Sequence, residues 1–235
     1  MSEHTHKQFD AEMDSIRTGV LAMGGLTETQ LARAIEVLKD GDDRGLLDRI
    51  GSVEQEINAA QVDIDQQCSQ IIAKRQPAAI DLRMILTITK IVNDLERVGD
   101  EVKKIAYKAG QTRDAVRLLQ VRHFTATRAA ERAGTMLQLA LDAFARLDPL
   151  AATEVIEHDK EVDVAFAEML RQLVSYMMED PRNITSALEI VFVAKSIERI
   201  GDHAKNIAEA VVQLVKGTDV RHASVAEIRA EVAKE

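Results

Sequence analysis

Residues 94–100 read Asp94-Leu95-Glu96-Arg97-Val98-Gly99-Asp100, and 102 residues further on the chain reads Ser196-Ile197-Glu198-Arg199-Ile200-Gly201-Asp202. Both copies sit in aliphatic runs with helical spacing. Met84, Ile88, Ile91, Leu95, Val98, Val102 and Ile105 alternate steps of four and three, the heptad seam of helices that pack side by side. The seam returns as Ile190, Val193, Ile197, Ile200, Ala204 and Ile207. A long helix repeated at that distance divides the chain into two similar halves.

The remaining boundaries follow from glycine and proline. Gly41, Gly110 and Gly217 each end a long periodic stretch, where a left-handed helix terminus favours glycine. Pro77, Pro149 and Pro181 each precede a new one, and Asp148-Pro149 and Asp180-Pro181 have the order of an N-cap followed by a first helical proline. These marks predict helices over 8–40, 43–75, 78–109, 112–146, 149–179 and 182–216, each about 45 Å long. The predicted fold is all-α: two tandem antiparallel three-helix bundles, residues 1–110 and 111–217. A charged tail, 218–235, is expected to be loosely attached.

Composition agrees and excludes several classes. Of 235 residues, 46% are apolar but only 3% aromatic, so the core must be built from aliphatic side chains. A net charge of −9 argues against nucleic acid, whose phosphates require a clustered basic surface. The single cysteine, Cys68, excludes an internal disulfide and fits a reducing compartment. The first ten residues lack the apolar core of a secretion signal, and no apolar run approaches the ~20 residues needed to span a bilayer. A soluble, cytoplasmic protein is expected.

In each repeated motif Glu and Asp stand four apart and share one helix face. Like charges at that spacing mildly destabilise a bare helix. Two readings are open: the carboxylates hold a cation such as Mg²⁺, Mn²⁺, Fe or Zn, or they form a solvated face screened by Arg97 and Arg199. The second and fifth segments match more weakly, Glu54-Gln55-Glu56-Ile57-Asn58 against Asp159-Lys160-Glu161-Val162-Asp163. Each half thus offers acids from two helices. Gly99 and Gly201, costly inside a helix, point to a close approach by a neighbouring helix or a ligand. Met23-Gly24-Gly25 marks a bend or a close crossing in the first helix. His203 and His158 are candidate nitrogen ligands, although the first copy has Glu101 where the second has His203. The Glu-x-x-His pattern of ferritin-like sites occurs only at Glu3 and His6, and neither a phosphate-cradling Gly-rich loop nor a nucleophile elbow is present. Cys68 sits among Ile64, Ile71 and Ile72 as a small core residue.

Several further stretches carry a resemblance. They are Ser15-Ile16-Arg17-Thr18, Met23-Gly24-Gly25, Ile71-Ile72-Ala73-Lys74-Arg75-Gln76-Pro77, Leu141-Asp142-Ala143-Phe144-Ala145-Arg146, Tyr176-Met177-Met178-Glu179-Asp180 and Val215-Lys216-Gly217-Thr218-Asp219-Val220-Arg221-His222. With the two Glu-x-x-x-Asp repeats, the chain resembles the PhoU family nearly end to end. The resemblance implies paired three-helix bundles, often as homodimers, with divalent or trivalent metal ions on the acidic faces. The implied ligands are Glu96, Asp100, Glu198 and Asp202, joined by Asp159 and Asp163. Glu54 stands where the family commonly has Asp, and Asn58 is a poorer ligand than a carboxylate, so the first site is expected to be weaker. The implied function is non-enzymatic: negative regulation of the phosphate-starvation response and of high-affinity phosphate uptake. The implied partners are the ATPase subunit of a phosphate ABC transporter and a sensor histidine kinase, with the membrane met only through them. The residues alone leave two rivals, a carboxylate-bridged di-metal hydrolase and a metal-free helical adaptor.

The duplication generates a prediction. Replacing Glu198→Ala together with Asp202→Ala should halve the metal content, measured by elemental analysis of folded protein, and equal metal in parent and variant would remove these ligands from consideration.

Overall fold

The computed structural model describes residues 2–40, 44–111 and 113–234. Six long helices follow one another: α1 (Ser2–Asp40), α2 (Arg44–Arg75), α3 (Ala79–Gln111), α4 (Arg113–Arg146), α5 (Pro149–Glu179) and α6 (Ile184–Lys216). A short helix, α7 (Val225–Val232), closes the chain. The expected boundaries hold within two residues, except that α1 begins six residues before the expected start at 8. Asp148 caps α5, accepting from the backbone N–H groups of Leu150 and Ala151, with Pro149 in the first turn. Gly217 ends α6 at φ 81°, a left-handed conformation that glycine adopts without strain. Pro181 opens a single 3₁₀ turn, Pro181–Asn183, before α6 begins. Gly110 does not end α3, which continues to Gln111, and Gly41 lies outside the described residues.

Both heptad seams are buried. Ile88, Ile91, Leu95, Val98, Val102 and Ile105 are fully inaccessible, and Ile190, Val193, Ile197, Ile200, Ala204 and Ile207 nearly or fully so. Each half is the expected three-helix bundle, α1 to α3 and α4 to α6, and the two bundles share one core. α3 packs on α6 and α1 on α4, so these four helices form a central bundle with α2 and α5 on its flanks. One continuous apolar cluster runs through both halves.

Glycines set the central crossings. A Cβ on Gly24 would stand 2.7 Å from Leu141 Cδ1, and one on Gly134 would stand 3.3 Å from Leu31 Cδ2. The Met23-Gly24-Gly25 stretch is therefore a close crossing of α1 with α4. The two contacts are reciprocal, each helix offering a glycine to the other's leucine. α3 and α6 repeat the pattern with polar groups: Ser196 Oγ donates to Glu101 at 2.8 Å, while His203 Nδ1 and Asp94 Oδ1 are 2.8 Å apart. The halves are thus related by an approximate two-fold axis.

The tail departs from its expectation. Ser224 and Glu227 form a reciprocal capping box at the start of α7, and Val220, Ile228 and Val232 are buried. Arg229 locks the segment to α5 through Nη2 and Glu157 Oε2 at 2.7 Å. Two apolar side chains four apart, a cap and an ion pair hold this segment against the bundle.

The glycines separate cleanly by mutation. Gly24→Val should cost roughly 1–3 kcal/mol through overpacking against Leu141. Gly51 lies in α2 with no atom within 4 Å of an added Cβ, so Gly51→Ala should stabilise by up to about 1 kcal/mol. Denaturant midpoints for the two variants check both signs.

Candidate metal centre

In the second half α5 and α6 cross where Gly201 presents no side chain, and Val162 fills the space; a Cβ at 201 would stand 3.3 Å from Val162 Cγ1. Asp159 and Asp163 flank Val162 on α5, and Asp202 follows Gly201 on α6. One carboxylate oxygen from each of Asp159, Asp163 and Asp202 lies within 4.8 Å of the other two. Glu198, one turn before Asp202, is gripped by Lys195, whose Nζ donates to Oε1 at 2.6 Å. Lys205 donates to the buried Asp159 at 2.7 Å.

Burial, followed by the surrounding carboxylates, raises the Asp163 and Asp202 pKa values above the ordinary range, and Lys195 eases both. Three crowded carboxylates of one sign are what a hard cation with oxygen ligands takes. The donor set therefore fits a metal ion held by Asp159, Asp163 and Asp202.

The first half repeats the scaffold with altered chemistry. Gly99 lies under Ile57, with Ile57 Cδ1 3.4 Å from an added Cβ. Lys103 donates to Glu54 at 2.7 Å, the counterpart of Lys205 on Asp159. Glu96 is half-buried, and its pKa is raised by burial and then by Asp100, with Arg97 and His203 opposing. Arg97 reaches both acids, 3.5 Å from Glu96 and 3.8 Å from Asp100. Asn58 is exposed and carries no charge. Among the described residues, no second group of three acids attains the spacing found in the second half.

Sequence reasoning passed over the lysines. Lys103 and Lys205 each follow the motif Asp by three residues, so their recurrence was a readable signal. It also passed over Glu209, almost inaccessible on α6, whose pKa burial pushes up to about 7, with Lys205 and Arg221 opposing and Asp159 and Asp219 adding to the rise. His203 turns its Nδ1 to Asp94 across the approximate axis. His158 is exposed. Cys68 is buried, and its thiol pKa is pushed up to about 11 by burial and then by Asp65, which suits a core residue.

Comparison with known proteins gives the family directly. The PhoU domain model matches residues 20–109 and 126–211, one match per half. The chain belongs to the PhoU family. It is 45% identical over 236 residues to the phosphate-specific transport system accessory protein PhoU homolog of Pseudomonas aeruginosa, covering 99% of this chain and 95% of that one. It is 42% identical over 226 residues to the PhoU protein of Escherichia coli (strain K12), covering 94% and 91%. The crystal structure of PhoU from Pseudomonas aeruginosa superposes with a TM-score of 0.81 at 45% identity, covering 89% of this chain and all of that one. The phosphate transport system regulatory protein PhoU from Streptococcus pneumoniae gives 0.79 at 25% identity, covering 90% and 99%. These PhoU relatives are named as accessory or regulatory proteins. No helix among the described residues is long and apolar enough to cross a membrane.

Glu209 yields a pH prediction. Its folded pKa, about 7, lies above the ordinary 4.5, so between those values the folded chain keeps a proton that the unfolded chain releases. Stability from this group is therefore full below about 4.5 and is lost as pH rises towards 7. Glu209→Gln should be more stable than the parent at pH 8 by on the order of 2 kcal/mol, with the gap closing at pH 5. Urea unfolding of metal-free protein at both pH values measures it.

Proposed function

We propose that this chain is a non-enzymatic regulator of phosphate transport, acting in the cytoplasm and as a homodimer. When phosphate is plentiful it restrains high-affinity uptake and keeps the starvation response off, linking the ATPase subunit of a phosphate ABC transporter to a sensor histidine kinase. The observation that carries the reading is the near end-to-end match, at 45% identity over 99% of the chain, to a phosphate-specific transport system accessory protein.

The acidic clusters supply the second part of the proposal. Asp159, Asp163 and Asp202 hold a divalent or trivalent metal ion, with Glu198 available once Lys195 lets go. Glu54, Glu96 and Asp100 form a weaker site in the first half, where Lys103 and Arg97 already offset part of the charge. A bound cation would neutralise the crowded carboxylates and tie α5 to α6. The residues of the chain contribute orientation: Gly201 and Val162 set the helix crossing, and Lys205 holds Asp159 in place.

Secreted alkaline phosphatase in phosphate-rich medium tests the regulatory reading. A strain deleted for this chain should show high activity, the parent low activity, and the intact chain should restore repression. A chain carrying Asp163→Asn and Asp202→Asn should restore it poorly. Equally low activity in parent and deletion strain would overturn the assignment.

A further inference from the structure

The repeat pairs each position of α2 with the position 105 residues on in α5, and each position of α3 with that 102 residues on in α6. In the second half the start of α5 and the end of α6 are covered: Thr153, Ile156, Asp159 and Glu209 are only 3%, 3%, 4% and 7% exposed. Their counterparts in the first half lie open. Asp48 is exposed, Gly51 and Glu54 are half-buried, and Tyr107 is 59% exposed.

The C-terminal segment accounts for the difference. It returns over α5 and α6, burying Val220, Ile228 and Val232, pairing Arg229 with Glu157 and bringing Arg221 towards Glu209. In the first half the polypeptide leads from α3 into α4, and among the described residues the matching surface is left as a groove of about 460 Å³. Leu47, Gly51, Gln55, Lys103, Ala106 and Tyr107 line it.

We infer that this groove is a docking site for a short amphipathic helix of a partner protein, with the chemistry that α7 shows in the other half. That chemistry is a pair of branched aliphatic side chains four residues apart, flanked by a cation. Ser52 replaces Glu157, but Asp48, one turn earlier on the same face, offers an exposed carboxylate to the cation. Gly51 replaces the buried Ile156, so an apolar side chain of the incoming helix takes the space that Ile156 fills opposite. A second copy of this chain has its own α7 engaged in its second half, which leaves a different protein as the source. The proposal gives the regulatory reading a partner surface and stands apart from the metal ions.

The probe is a fluorescein-labelled peptide of residues 218–234, titrated onto the full chain and followed by anisotropy. The second half stays closed to it because the tethered segment competes at an effective concentration of about 1 mM. The expected result is saturable binding of one peptide per chain, weakened about tenfold by Gly51→Leu and severalfold by Asp48→Lys. Gly51→Leu is compatible with folding, since an added Cβ meets no atom within 4 Å and leucine is the better helix former; unchanged circular dichroism verifies this. Absence of saturation below ~1 mM, or binding that Gly51→Leu leaves unchanged, overturns the proposal. The alkaline phosphatase experiment is independent of either outcome.

Discussion

Where α5 crosses α6, Gly201 leaves no side chain between the helices and Val162 occupies the gap. The close approach is what brings Asp159 and Asp163 to Asp202. With a larger residue at 201, α5 would stand off, and the three carboxylates would become ordinary solvated groups on separate helices. Ile57 over Gly99 imposes the same geometry in the first half. The roughly 1 kcal/mol that a mid-helix glycine gives up is thus tied directly to the spacing of the acids. Packing decides the position of charge here, and charge does not decide the packing.

The scaffold is duplicated more faithfully than the chemistry. Each half keeps the glycine crossing and a lysine on the innermost acid, Lys103 on Glu54 and Lys205 on Asp159. The second half has a carboxylate at 163 where the first has Asn58, and it has the C-terminal segment as a cover. Fewer clustered acids and open solvent leave Glu54, Glu96 and Asp100 less in need of a counter-ion, since each half has two basic residues against its acids. Asp163 and Asp202, crowded and partly desolvated, carry more unrelieved repulsion.

Much of this is legible in the sequence itself. Glycine and proline marked six helices, and the seam residues named for α3 and α6 are the ones buried. Glu198 and Asp202 stand out as a repeated pair four apart on one helix face, and Asp159 and Asp163 through the weaker match of the second and fifth segments and the family resemblance. Spacing within a helix does not say which of these acids meet across helices. The merging of the two halves into one core was harder to see, because its signal was single small residues, Gly24 and Gly134, that meet leucines more than a hundred positions away. The missed helix α7 is eight residues long, too short for periodicity to stand out, although Ser224 and Glu227 spelled its cap. The Lys195 grip on Glu198 depends on rotamers, which spacing does not encode.

The approximate two-fold axis between α3 and α6 has one more consequence. Around a true dyad between identical chains, every contact occurs twice with the same pair of side chains. Here both copies belong to one polypeptide, and that obligation is lifted. One crossing is Glu101 with Ser196, the other His203 with Asp94. The same joint is a carboxylate with a hydroxyl on one side and an imidazole with a carboxylate on the other. Covalent fusion has freed a symmetric interface to become directional, with two ends that a partner can tell apart.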